Sequence, residues 1–330
     1  MQFSEGNVDR NPSDVTRRKF LGTTLAGAAT VAIGGFPKLM SAATDSAAKA
    51  TFTIGGDLTV NRMGFGAMRL TGDGIWGWPT DQANARKVLK RAIELGVNFI
   101  DTADAYGPMV SEMLIAQALH PYPKGLIIAT KGGLTRPGPG RWEPNGRPEY
   151  LTKCVEESLK RLKLDRIDLY QLHRIDKSVP VEESLGALKK MQEAGKIRYI
   201  GLSEVNRKEI EQAKKVVPIV SIQNQYNFAD RQSDDALAYC EKENMAFIPW
   251  SPIGGSGSSF KKPGNPLEIE AKKHNVNGIQ LALAWLLHRS PVMVPIPGTS
   301  SLEHLEENVA AAKIQLTPEE WKAVEQAAKS

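Results

Sequence analysis

Asn98-Phe99-Ile100-Asp101-Thr102-Ala103-Asp104-Ala105-Tyr106-Gly107 is a short apolar strand that stops at an acid and opens into a loop. Before it, Asp81–Leu95 repeats apolar residues with helical period and ends ahead of Gly96; after it, Val110–Leu119 repeats them again. The same alternation extends in both directions. Strands are expected near Met63–Gly66, Asn98–Ile100, Leu126–Thr130, Ile167–Leu172, Arg198–Leu202, Ile219–Gln223, Ala246–Pro249 and Val292–Pro295. Helices are expected between them at Glu149–Leu162, Val181–Ala194, Arg207–Val216, Ser233–Glu243 and Ile279–His288, with a final pair, Leu302–Ala312 and Pro318–Ala327. A short hairpin over Thr51–Val60, turning at Gly55-Gly56, precedes the series.

Short, wholly apolar strands alternating with helices predict an α/β protein whose parallel sheet is buried on both faces. Eight of them over about 280 residues fit a closed (β/α)8 TIM barrel, with the hairpin as an N-terminal cap. An open doubly wound sheet normally carries Gly-x-Gly-x-x-Gly after its first strand. Here Gly64-Phe65-Gly66-Ala67-Met68 lacks the third glycine.

In such a barrel, chemistry sits on the loops after the strands. Those positions offer Asp101 and Tyr106 after the second strand, Lys131 at the end of the third and His173 at the end of the fourth. Alone, each has an ordinary structural role, in packing, solvated charge or turn capping. Together they form a proton-transfer set. A phenol is a poor acid at neutral pH, and a neighbouring ammonium is expected to lower its pKa toward the working range. Asp101 can hold that ammonium, and His173 can hydrogen-bond a substrate carbonyl.

These residues resemble the aldo-keto reductase superfamily over nearly all of Thr51–Ser330, as do Leu172-His173-Arg174 and Gly195-Lys196-Ile197-Arg198-Tyr199-Ile200-Gly201-Leu202-Ser203. The resemblance implies NADPH-dependent, or NADH-dependent, reduction of aldehydes or ketones, with Tyr106 as general acid and Asp101, Lys131 and His173 completing its tetrad. It also implies that Ser203 and Gln223 hold the nicotinamide carboxamide, and that Trp250 stacks on the ring. Glu204 stands where many members have Asn. In Trp250-Ser251-Pro252-Ile253-Gly254, Ser251, Pro252, Ile253 and Gly254 are expected to line the cofactor, and the Gly/Ser run through Ser259 offers amides to a pyrophosphate. Thr299, Ser300, His304, Glu307 and Asn308 match the adenosine-phosphate segment, which opens a helix. Many members have Lys where Gly298 stands and Arg where His304 stands. A nicotinamide-binding regulatory or redox-sensing subunit on the same barrel is the competing reading, and the complete tetrad argues against it.

The first fifty residues read as an address. Thr16-Arg17-Arg18-Lys19-Phe20-Leu21 precedes a mild Gly/Ala-rich apolar stretch from Leu21 to Phe36, then the small residues Ser41–Ala50. This resembles a twin-arginine signal, implying the Tat export machinery as a partner, export after folding and a periplasmic destination. The stretch is too short and Gly-rich for a stable membrane span, which takes about 20 apolar residues. The formal charge of +5 includes +2 in this segment, leaving the barrel with no basic run of the kind nucleic-acid binding needs. Cys154 and Cys240 fall on two separate amphipathic helices and read as buried thiols; no ligand spacing suggests a metal.

Substrate loops are partly legible. Trp76 and Trp78 follow the first strand, and Trp142 lies in the Pro/Gly-rich loop after Lys131. They can line an apolar pocket or pack loop on loop. The chain ends just after its last helix, so an open site and a broad carbonyl range are expected.

Overall fold

Two strands, β1 (Thr51–Ile54) and β2 (Leu58–Asn61), pair antiparallel with Ile54 opposite Leu58, one step further on than the expected hairpin end. The structure, a computed structural model, describes residues 50–255, 257, 260, 262 and 264–327. The expected export signal, Ala50 apart, and Ser256, Ser258 and Ser259 lie outside the described residues.

After the hairpin come β3 (Phe65–Gly66), α1 (Gln82–Glu94), β4 (Phe99–Asp101), α2 (Val110–Leu119) and β5 (Ile127–Gly132). A rim hairpin absent from the sequence reading follows, β6 (Leu134–Thr135) with β7 (Glu143–Pro144). The chain continues through α3 (Pro148–Leu162), β8 (Ile167–Leu172), α4 (Val181–Glu193), β9 (Ile197–Ser203), α5 (Arg207–Lys214), β10 (Ile219–Gln223), α6 (Asp234–Glu243) and β11 (Ala246–Phe247). It ends with α7 (Pro266–Lys273), α8 (Gly278–Arg289), α9 (Leu302–Ala310) and α10 (Pro318–Ala327). Helix α7, also unforeseen, is short; Asn265 caps it by accepting from the Leu267 amide at 2.9 Å.

The sheet runs β11-β10-β9-β8-β5-β4-β3, all parallel. The expected eighth strand, Val292–Pro295, carries only an isolated bridge to Phe247, but its backbone closes the circle. Val294 donates to Phe247 at 2.8 Å on one side, and Gly64 donates to Pro295 at 2.9 Å on the other. Buried Arg62 pins this seam: its guanidinium donates to the carbonyls of Met293, Leu287 and Ser290. It thereby caps the open carbonyl end of α8.

Period-two alternation explains the two layers. Outward residues such as Ile100, Ile128, Ile200 and Ile222 pack under the helices. Inward residues Phe99, Ile127, Ala129 and Leu169 fill the barrel, and Ile54, Leu58 and Val60 of the hairpin join the same cluster, plugging its N-terminal end. Cys154 and Cys240 are separate, free and buried.

Candidate active site

The same parity that points Ile127 and Ala129 inward points Lys131 inward at the opposite end of β5. Its ammonium is wholly buried, and its N–H donors meet three acceptors: Asp101 Oδ1 at 2.6 Å, the Thr102 carbonyl at 2.8 Å and the Tyr106 hydroxyl at 3.2 Å. Asp101 is completed by two amides, Gln223 Nε2 at 2.8 Å and Gln171 Nε2 at 3.1 Å, both on Oδ2. The charges are therefore paired and their hydrogen-bonding capacity used, the condition under which a buried ion pair is tolerated. Gln171 was missed in the sequence, though it lies two residues before His173 and so on the same inner face.

Tyr106 and His173 complete the expected tetrad, edge to face with centroids 5.8 Å apart. The structure brings all four residues together, and corrects one expectation about them. Burial pushes the Tyr106 phenol above its ordinary value; Lys131 pulls it down, but not enough to win, and Asp101 pushes it further up. Burial also opposes charge on Lys131, yet Asp101 and Tyr106 hold its ammonium above the usual lysine value. Burial, then Lys131, Arg174 and Arg136, drive His173 well below 6.5, so its imidazole is neutral. Its Nδ1 is buried without a hydrogen-bond partner among the described residues. Because Lys131 donates to the phenol oxygen, that oxygen is the acceptor there and the phenol's own hydrogen remains available to another acceptor.

The predicted nicotinamide contacts adjoin this cluster. Gln223 commits its amide nitrogen to Asp101, and Ser203 Oγ accepts from Arg174 at 3.0 Å. Trp250 donates its indole N–H to Glu204 Oε1 at 2.6 Å, and the Gln225 amide donates to the same oxygen at 2.8 Å. Glu204, at φ +57°, thus fixes the tilt of the ring instead of offering an amide as Asn would. Ser251 accepts from the Gly255 amide at 3.0 Å, tightening the turn through buried Pro252 and exposed Gly254.

Beyond that turn lies a cavity of about 440 Å³ lined by Ile253, Thr299, Ser300, His304, Glu307 and Asn308, which the sequence placed at the cofactor. Gly255, Ile279 and Gly298 line it too, and so does Arg69, which sequence reading missed. Ser301 caps α9 by accepting from the His304 amide at 3.3 Å, so the helix start faces the cavity wall. A Cβ on Gly298 would meet the Gly66 carbonyl oxygen at 2.5 Å, which forbids a side chain there as the backbone stands. Arg69, leaving the turn after β3, passes its Cγ 3.6 Å from that same point. A cation thus reaches the place from another loop, and proximity in the chain gave no hint of it.

Trp142 stands 6.3 Å from Tyr106 and 6.5 Å from His173, both edge to face, while Trp78 is 40% exposed. Trp142 therefore stands beside the catalytic rings, and Trp76 packs loop on loop, 5.4 Å from the Arg136 guanidinium.

A parallel barrel with a buried Asp-Lys-Tyr set and a neutral histidine at its C-terminal mouth is the constellation of a carbonyl-reducing oxidoreductase. The chain belongs to the Aldo/keto reductase family, whose profile matches residues 62–329. It is 50% identical to an uncharacterized oxidoreductase of Schizosaccharomyces pombe over 290 residues, 88% of this chain and 94% of that one. It is 42% identical to pyridoxine 4-dehydrogenase of Escherichia coli (strain K12) over 278 residues, 82% of this chain and 95% of that one. A solved aldo-keto reductase from Klebsiella pneumoniae, in complex with NADP and acetate, superposes with a TM-score of 0.71 at 25% identity, covering 84% of this chain and 95% of its own. The protein reduces aldehydes or ketones with a nicotinamide cofactor; a regulatory subunit without turnover is not favoured.

Proposed function

We propose that the chain is an NADPH-preferring reductase of aldehydes and ketones in which Tyr106 is the proton donor, acting outside the cytoplasm after export in folded form. The observation that carries the catalytic reading is the Lys131 ammonium bridging Asp101 and the Tyr106 hydroxyl in a buried site. When bound, the reduced nicotinamide supplies the hydride. Ser203 and Gln223 offer oxygens to its carboxamide, and Trp250, tilted by Glu204, offers a flat face to the ring. His173 donates an N–H to the substrate carbonyl and orients it. Tyr106 then gives its proton to the carbonyl oxygen, and Lys131 steadies the phenolate left behind. Asp101, held by Gln171 and Gln223, keeps Lys131 charged and in place.

Preference for NADPH is supported by Arg69 in the cavity with Thr299, Ser300 and the start of α9. Arg69 supplies the cation for a 2′-phosphate that Gly298 and His304 do not. A charged hydrogen bond of about 1.5–3 kcal/mol, discounted for the exposure of Arg69, corresponds to roughly tenfold in affinity. Arg69→Ala is therefore expected to weaken NADPH binding about tenfold and leave NADH within twofold, read by quenching of tryptophan fluorescence. Equal loss for both cofactors would remove Arg69 from the phosphate. Titration of the parent protein with NADPH and NADH, followed by a panel of aldehydes and ketones, tests the whole reading. A protein that binds neither cofactor sinks it.

Export rests on Arg17-Arg18 ahead of the Gly/Ala-rich stretch. Residues 1–50 fused to a folded fluorescent reporter are expected to carry it to the periplasm, and the pair Arg17→Lys, Arg18→Lys to strand it in the cytoplasm. A reporter that stays cytoplasmic with the native sequence ends the export proposal. The substrate class is a carbonyl compound that fits beside Trp142. The relative named for pyridoxine makes planar heteroaromatic aldehydes the first compounds to try.

A further inference from the structure

One side chain stitches together the three loops around the catalytic tyrosine. Arg136 starts the Pro/Gly-rich loop between β6 and β7, and Trp142 ends it. From there its Nη1 donates to the Ala105 carbonyl at 2.7 Å, next to Tyr106, and to the Ile75 carbonyl at 3.3 Å in the loop after β3. Its Nε donates to the Arg141 carbonyl at 2.9 Å. The guanidinium carbon lies 3.5 Å from the centroid of the Trp142 ring and 5.4 Å from that of Trp76, both within cation–π range. Among the described residues no carboxylate pairs with Arg136, and its Nη2 has no hydrogen-bond partner. Its contacts are backbone carbonyls of three loops and the faces of two indoles.

That pattern differs from a surface ion pair. A loop of the composition Arg-Pro-Gly-Pro-Gly-Arg-Trp cannot by itself hold an indole in one place. A planar guanidinium can, because it donates in its own plane and stacks through its face. The indole so held lies steeply inclined to both Tyr106 and His173, at 75° and 69°, and those two rings cross each other at 83°. Three mutually inclined aromatic rings thus meet within 6.5 Å of one another around the catalytic tyrosine.

We propose that Arg136 is a positioning residue that clamps Trp142 beside Tyr106 and His173, forming an aromatic slot selective for planar aromatic aldehydes and ketones over flexible aliphatic ones. The proposal rests on the carbonyl-reductase reading above. A flat arene presents face and edge to such rings and has few rotors to freeze; an aliphatic chain offers neither advantage.

The test compares pyridine-4-carbaldehyde with propanal. Arg136→Met keeps length and apolar bulk but removes the donors and the charge. It is expected to lower the ratio of kcat/KM for pyridine-4-carbaldehyde over propanal about tenfold, through KM and with kcat for the arene changed little. Trp142→Leu should do the same, and the double variant should go no further, since both act through one wall. Arg136→Lys, which keeps charge but not the fork, should recover little. Binding is read independently by quenching of tryptophan fluorescence with pyridine-4-carbaldehyde on the protein loaded with NADP⁺. There Arg136→Met should raise Kd about tenfold. Equal losses on both aldehydes, or an unchanged Kd, would overturn the proposal. A parent enzyme that binds the arene but turns over neither aldehyde refutes the reductase reading instead, and the Kd comparison still decides the role of Arg136.

Discussion

Tyr106→Phe is expected to bind NADPH as tightly as the parent enzyme and to turn over at least ~100-fold more slowly, the usual worth of a general acid. The ring stays, so its edge contacts with His173 and Trp142 stay. Only the hydroxyl is lost, along with the acceptor that Lys131 meets at 3.2 Å. The lysine keeps Asp101 and the Thr102 carbonyl, so the fold should hold. Single-turnover oxidation of bound NADPH measures the step itself, and turnover within a few-fold of the parent would take the proton from Tyr106. The pH profile gives a second check on the same residue. Because burial raises the phenol above 10, it remains protonated across the neutral range, and the reduction rate should fall only as the pH passes above that value. Because His173 is driven well below 6.5, no step is expected near the ordinary histidine value either. A rate that declines from pH 7 to 9 would mean that the ammonium dominates the phenol after all.

Lys131→Met should cost both activity and fold. Removing the ammonium strands Asp101 in a site where it is 1% exposed, with the amides of Gln171 and Gln223 as its remaining side-chain partners among the described residues. Breaking a buried pair in this way costs about 3–5 kcal/mol, because the remaining charge is uncompensated. The urea midpoint should fall accordingly, and reduction should slow by at least ~100-fold, since the phenolate is no longer steadied. If the variant does not accumulate folded, adding Asp101→Asn is the informative step. The double variant removes both charges and should regain a large part of the stability while remaining inactive. A single variant as stable as the parent would contradict the tightly paired site. The linkage has a definite sign. A lysine raised above 10.5 contributes stability that is whole below that pH and is lost only as pH climbs through its folded value. The pair is therefore intact throughout the working range.

Asp101, Lys131 and His173 were readable because strands impose a period of two and the barrel puts chemistry at one end of every strand. Once the apolar runs are placed, the residues ending them share a mouth. Tyr106 followed from the loop that Asp101 opens. The eighth strand was legible as an apolar run, but its ladder is thin, and the seam is pinned by Arg62, whose acceptors are more than 220 residues away.

Other features were not in the pattern. Helix α7 is eight residues with a Pro start, too short to show a convincing period beside a Gly/Ser run. The β6–β7 hairpin is two residues a side and owes its position to Arg136 and its neighbours.

Sequence by itself thus determined the barrel, the family likeness and the four residues, Asp101, Tyr106, Lys131 and His173, that the structure brings together, because periodicity and strand ends are local properties of the chain. Only tertiary structure decided that burial outweighs the lysine at Tyr106, since desolvation depends on everything packed around the group. Only it showed that Arg69 approaches the place a Gly298 side chain would fill, where the strand-end turn and the segment before α9 come within van der Waals distance. And only it joined Ile75, Ala105 and Trp142 through Arg136, because three loops far apart in the chain meet at one guanidinium.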